Sequence, residues 1–192
     1  LFGVTLQRIT PLSNNKHLEL LFSKDTNSFQ AVIFGVSTDT FCFSVGDVLD
    51  LAVTLETNIY NDRKNLSIQI KGIRVSNTDD DKLFNQLENY KLFCNDLDFD
   101  AQVITPTREE VGEIYRYVTD SGVLADKISY AFINTLGIGK TLSSLAVLED
   151  LGLIYKKDGK YFKNKTTQKT NLANSAIYNK LLPNKVKEDK KK

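Results

Sequence analysis

The sequence predicts an α+β chain, with a small five-stranded barrel first and a mixed helical domain after it. Three observations carry this reading. Apolar and polar residues alternate through five short runs before residue 76, the period of half-buried strands. After the acidic run Asp79-Asp80-Asp81 the spacing becomes helical and includes a capping box at Thr107-x-x-Glu110. A two-residue Asp158-Gly159 turn then separates two short strand-like runs, the mark of a tight hairpin.

The five strands are expected over Gly3 to Thr10, His17 to Ser23, Phe29 to Gly35, Val48 to Thr57 and Leu66 to Val75. Leu18, Leu20 and Phe22 share one face against His17, Glu19 and Leu21. Leu49, Leu51, Val53 and Leu55 oppose Asp50, Ala52, Thr54 and Glu56, and Leu66, Ile68 and Ile70 oppose Ser67, Gln69 and Lys71. Five such strands in one short domain fit a Greek-key barrel of the OB type, whose strand faces and loops bind single-stranded nucleic acid.

The boundary is expected near Ser76 to Asp81, giving a barrel over residues 1–78, a second domain over 79–163 and a basic tail over 164–192. Leu83, Leu87 and Tyr90 have helical spacing behind three aspartates that suit a positive helix N-terminus. Phe99 to Thr105 reads as a strand, and just before and into it Asp96, Asp98 and Asp100 alternate with Leu97 and Phe99, so that an extended chain there would set all three carboxylates on one face. That face is read as a solvated negative surface, with a divalent-cation site as the lesser alternative. Val111, Ile114, Tyr115 and Val118 form the apolar side of the capped helix. Further helices are expected from about Asp126 to Leu136 and from about Thr141 to Leu151, the last ended by Gly152. The hairpin from Leu153 to Phe162 completes the order of a winged-helix-like domain. Sparse apolar anchors after Asn164, and Lys190-Lys191-Lys192 at the end, suggest a partly disordered tail.

Composition excludes several classes. No apolar run approaches the ~20 residues that cross a bilayer, so no membrane role is expected and the cytoplasm is the expected location. Cys42 and Cys94 are too few for a disulfide scaffold or a zinc site. The net charge of +1 hides a partition. Residues 1–78 balance seven Lys/Arg against seven Asp/Glu, residues 79–163 carry ten against fifteen, and residues 164–192 carry eight against two. A neutral barrel binds a polyanion if its cations cluster, whereas an acidic domain repels one.

Lys16-His17-Leu18-x-Leu20, Gln30-Ala31-Val32-Ile33-Phe34-Gly35, the Glu56/Asn58/Tyr60 triplet and the Leu66/Gln69/Ile73 pattern together resemble the OB domain of RecJ-type single-strand-DNA-specific exonucleases. The stretch from Asp96 to Phe162 is similar to the domain that follows this barrel in some bacterial members. The resemblance implies a parent protein that degrades single-stranded DNA from the 5′ end in repair and recombination, using Mn²⁺ or Mg²⁺ in a separate catalytic core. Two-metal chemistry needs convergent carboxylates and histidines. This chain has one histidine and lacks the Asp-His-His triplet that the family's core carries. It starts at Leu1 and contains no methionine, and is expected to be the C-terminal fragment, with no cofactor of its own and no catalytic residues. The expected partners are single-stranded DNA, the catalytic core of the same polypeptide and another repair protein met through the second domain.

For DNA contact the expected residues are Asn58, Tyr60, Arg63, Lys64 and Gln69 around the last turn, with Lys16, His17 and Lys24 continuing the groove. Aromatics stack on any base, cations meet phosphates and amides reach sugar or base edges. Gly139-Lys140-Thr141 mimics the end of a phosphate-binding loop but lacks its first glycine, because Asn134 stands there. Lys140, Ser143 and Ser144 instead suggest an exposed helix start that enters a DNA groove or docks a protein. The rival readings are a winged-helix regulator of duplex DNA and a protein-interaction adaptor.

Overall fold

A computed structural model of the chain describes residues 1–60, 63–165 and 170–182. They fall into two compact units, Leu1–Thr78 and Asp79–Lys192.

The first unit is built from β1 (Val4–Leu12), β2 (His17–Lys24), β3 (Asn27–Phe34), β4 (Val48–Tyr60) and β5 (Arg63–Val75). They close into a barrel in the order β1-β2-β3-β5-β4. β1 pairs antiparallel with β4, and β3 meets β5 in parallel at Val32 and Gln69. This is the OB arrangement that the alternation predicts. Val4, Leu6, Leu18, Leu20, Phe22, Leu49, Leu51 and Ile70 fill the interior, each burial worth about 1.5–3 kcal/mol. The connection from β3 to β4 buries Phe41 and Phe43, whose rings meet edge-to-face at 5.6 Å.

Two features of the barrel depart from simple alternation. Asp50 has the outward phase, yet it is buried. It accepts a 3.0 Å hydrogen bond from the Gly3 N–H and a 3.2 Å contact from Arg74 Nε, so its charge is compensated where it sits. Leu55 and Leu66 have the inward phase, yet they are 62% and 65% exposed. β4 and β5 stay paired as far as Tyr60 and Arg63, so their outer halves form a two-stranded ribbon with no interior to fill.

The second unit contains α1 (Asp80–Cys94), α2 (Ala101–Ile104), α3 (Arg108–Tyr117), β6 (Val123–Leu124), α4 (Ala125–Phe132), α5 (Ile138–Asp150), β7 (Ile154–Lys157), β8 (Lys160–Lys163) and α6 (Ala176–Leu181). From α3 onward the order is helix, strand, helix, helix and hairpin, with the sheet ordered β6-β8-β7. That is a winged-helix topology. The capping box forms as its spacing predicts: Thr107 Oγ1 accepts from the Glu110 N–H and Glu110 Oε2 accepts from the Thr107 N–H. The hairpin turns on Asp158 and Gly159, both with positive φ (48° and 74°), as a type I′ turn requires. One core gathers Val111, Ile114, Val118, Ile128, Leu145, Leu148, Ile154 and Tyr161, and a smaller one joins Ile104, Val147 and Leu181.

Several expectations need correction here. Phe99 to Thr105 is not a strand: Asp100 caps the short helix α2 by accepting the Gln102 N–H. Its three-aspartate face therefore does not exist, and Asp96 instead turns with φ 53° and meets Lys180 at 3.2 Å. On α1, Leu87 is exposed while Gln86 and Asn89 are buried, because both amides have backbone partners in Gly139 and Asp100. The helix expected to reach Leu136 ends as α4 at Phe132. Residues 172–181 fold instead of trailing away: a 3-10 turn at Leu172–Asn174 leads into α6, which buries Leu181 completely. Lys190, Lys191 and Lys192 lie outside the described residues.

Candidate nucleic-acid interface

Because Leu18, Leu20 and Phe22 point into the barrel, the residues between them must point out. Across β2 and β3 the register sets His17 opposite Phe34, Glu19 opposite Val32 and Leu21 opposite Gln30. β1 widens this outer face with Thr10 beside Glu19 and Arg8 beside Leu21. β5 adds Gln69 beside Val32. A continuous four-strand surface results.

His17 and Phe34 form its aromatic part. His17 Nδ1 accepts the Gly35 N–H at 3.0 Å, and its ring meets Phe34 edge-to-face at 5.0 Å. Phe34 is thereby held in place while staying 54% exposed. A fixed, half-open ring on a solvent face is a platform for an unpaired base. Lys71 lies on the same face, donating from Nζ to Gln69 Oε1 at 3.1 Å. Lys16, just before β2, and Arg8 are exposed. Cations around an aromatic pair can hold phosphates while the bases stack.

Of the expected contact residues, the structure gathers Lys16, His17 and Gln69 on or beside this surface. Lys24 does not join them. It stands at the other end of β2, roughly 23 Å from His17 at the rise of a strand, and its Nζ donates to the Phe2 carbonyl at 2.7 Å. Asn58 and Tyr60 close β4, and Arg63 and Lys64 open β5, at the outer end of the ribbon. The side chains of these four lie outside the described residues. Sequence reasoning missed Phe34, Arg8 and Lys71 as contact candidates. The signal for Phe34 was its outward phase, since Ala31 on the same strand faces the core.

Among the described residues, α5 does not present an open groove-reading face. Thr141, Ser143 and Ser144 on α5 are completely buried, contrary to the exposed helix start expected there. α1, α2, α3, α4 and α6 all pack against α5, and its most exposed positions are the acids Glu149 and Asp150. The phosphate-loop mimic is likewise committed internally. The Gly139 N–H faces Gln86 Oε1 at 3.4 Å, Lys140 pairs with Glu110 at 2.8 Å, and Thr141 Oγ1 donates to the Gly137 carbonyl. A Cβ on Gly139 would stand 2.8 Å from Ile104 Cγ2. The glycine serves close helix packing.

Asp150 anchors α6. Its Oδ2 accepts from Ser175 Oγ at 2.6 Å and from the Ile177 N–H at 3.2 Å. The Ser175 hydrogen bond, helped by backbone donors at Ile177 and Ala176, holds its pKa below the ordinary value despite burial acting the other way. Among the described residues no group of three or more His, Cys, Asp or Glu side chains converges to hold a metal. Two-metal hydrolysis needs such a donor set, and the residues described do not fit one. Neither Cys42 nor Cys94 is disulfide-bonded. No described helix is long and apolar enough to cross a membrane.

Comparison with protein families matches residues 2–72 to the RecJ OB domain. The match spans all the strands of the barrel except the last three residues of β5. No curated protein matches the chain.

Proposed function

With residues 2–72 a RecJ-type OB domain, we propose that this chain is the single-stranded-DNA-binding, non-catalytic C-terminal portion of a RecJ-type 5′→3′ exonuclease of DNA repair and recombination, working in the cytoplasm. The barrel grips the strand and delivers it to a catalytic core carried elsewhere in the same polypeptide, where Mn²⁺ or Mg²⁺ would act. The observation that carries the reading is the outer barrel face, where Phe34 stands half exposed against His17, with Lys16 next to His17 in the chain and Lys71 and Arg8 farther over the same face. Stacking on such a ring needs unpaired bases, so single strands are preferred over duplex. The second unit supports DNA handling or recruits another repair protein. Duplex reading by α5 is disfavoured because other helices cover it.

The test is a titration of the chain with single- and double-stranded oligonucleotides across a salt series. Single strands should bind more tightly. Phe34→Ala and Tyr60→Ala should each weaken binding about tenfold with little change in salt slope, because stacking releases no counterions. Arg63→Ala and Lys64→Ala should weaken it and flatten the slope by about 0.7 for each lost phosphate contact. Duplex binding that is equal or tighter refutes the proposal.

A further inference from the structure

The wing of the second unit presents a second face whose chemistry the barrel does not explain. In the β7–β8 hairpin Tyr155 lies opposite Phe162 and Lys157 opposite Lys160. The intervening pairs point inward: Ile154 and Tyr161 are buried in the core beneath. Tyr155, Phe162, Lys157 and Lys160 therefore share the outer face of the sheet. The Tyr155 and Phe162 rings stack at 5.3 Å with 17° between their planes, and Tyr155 is 44% exposed.

This stack is built rigidly. Phe162 presses where Gly122 leaves no room for a side chain, since a Cβ there would stand 2.4 Å from the ring. Gly122 also has φ 85°, a conformation that favours glycine. The lysines divide by face. Lys156 lies over the Tyr161 ring at 5.5 Å and Lys163 over the Tyr115 ring at 4.9 Å, so both are engaged on the inner side. Lys157 and Lys160 have no ion pair with any described residue. Between Ile154 and Lys163 four lysines face one acid, Asp158, within a domain that is otherwise acidic. The domain's excess negative charge is thus kept off its wing.

We propose that the outer face of the wing is a second binding site for single-stranded nucleic acid, with Tyr155 stacking on a base and Lys157 and Lys160 holding the flanking phosphates. Charge complementarity selects a polyanion. The exposed stacking ring selects one with unpaired bases, because the same ring offers nothing to a duplex backbone. Same-face neighbours on a strand are about 7 Å apart, so the base and phosphate contacts fall within one or two nucleotides. The site rests on the second unit alone and does not depend on the barrel reading.

The test uses the full chain and an iodouracil-bearing single-stranded oligonucleotide. Photocrosslinking should map to the peptide containing Tyr155, apart from any adduct on the barrel. Tyr155→Ala should weaken binding about tenfold at unchanged salt slope, whereas Tyr155→Phe should bind like the parent. Lys157→Gln with Lys160→Gln should flatten the slope by about 1.4, two phosphate contacts' worth. Retained binding in both the Tyr155→Ala chain and the double-lysine variant overturns the proposal. Phe34→Ala serves as the barrel arm: its loss without any wing effect leaves the barrel reading standing and removes this one. If polyglutamate competes equally well and loses its grip in Tyr155→Ala, the wing is an acidic-peptide site and the proposal also falls.

Discussion

Asp50 shows how a single side chain couples the start of the chain to the barrel. Burial alone raises its pKa, but hydrogen bonds from Gly3, Ser76 and Arg74 outweigh that and hold it below the ordinary 3.8. A folded value below the unfolded one means the stabilisation is complete above the unfolded pKa and is lost as pH falls through the folded value. Asp50→Asn should therefore cost about 2 kcal/mol at neutral pH, the worth of hydrogen bonds to a buried charge. The parent and variant urea curves should converge once the pH drops below the usual carboxylate range. A gap that persists undiminished in acid would show that the carboxylate's charge is not what matters.

At the scale of elements, helix packing in the second unit depends on glycine. Gly139→Ala would drive a methyl to 2.8 Å from Ile104 Cγ2 and 3.1 Å from Gln86 Cβ. Overpacking of this kind costs about 1–3 kcal/mol, and denaturation followed by far-UV circular dichroism should report it. An unchanged midpoint would mean that α2 yields freely. The same contacts explain which elements were legible in the sequence. The barrel strands alternate because one face is wet and the other dry, so their phase could be read directly. α1 could not be read this way, since it turns Gln86 and Asn89 inward to satisfy backbone groups of other segments, partners that no local pattern reveals. The segment around Asp100 misled for a related reason: alternating aspartates mimic a strand, while one of them was a helix cap. On the candidate surface, the outward placement of His17 and Gln69 was legible, whereas the Phe34 ring contact depends on the neighbouring strand that places His17 against it.

For the whole molecule, the proposed reading is of a chain that holds a strand while cutting is done elsewhere. Purified chain incubated with labelled single-stranded DNA and Mn²⁺ should leave it intact, because the described carboxylates do not converge on a metal. Steady degradation that survives repurification would contradict this. The enclosure of α5 has a further consequence, visible in deuterium uptake. A helix surrounded by five others can release its amides only when its whole unit opens. The amides from Leu142 to Leu148 should therefore be the slowest of the second unit to exchange, while those of the wing hairpin exchange early. A protein that sheathes its would-be reading helix this way has turned it into a structural axle, and hydrogen exchange should find that axle the last part to let in solvent.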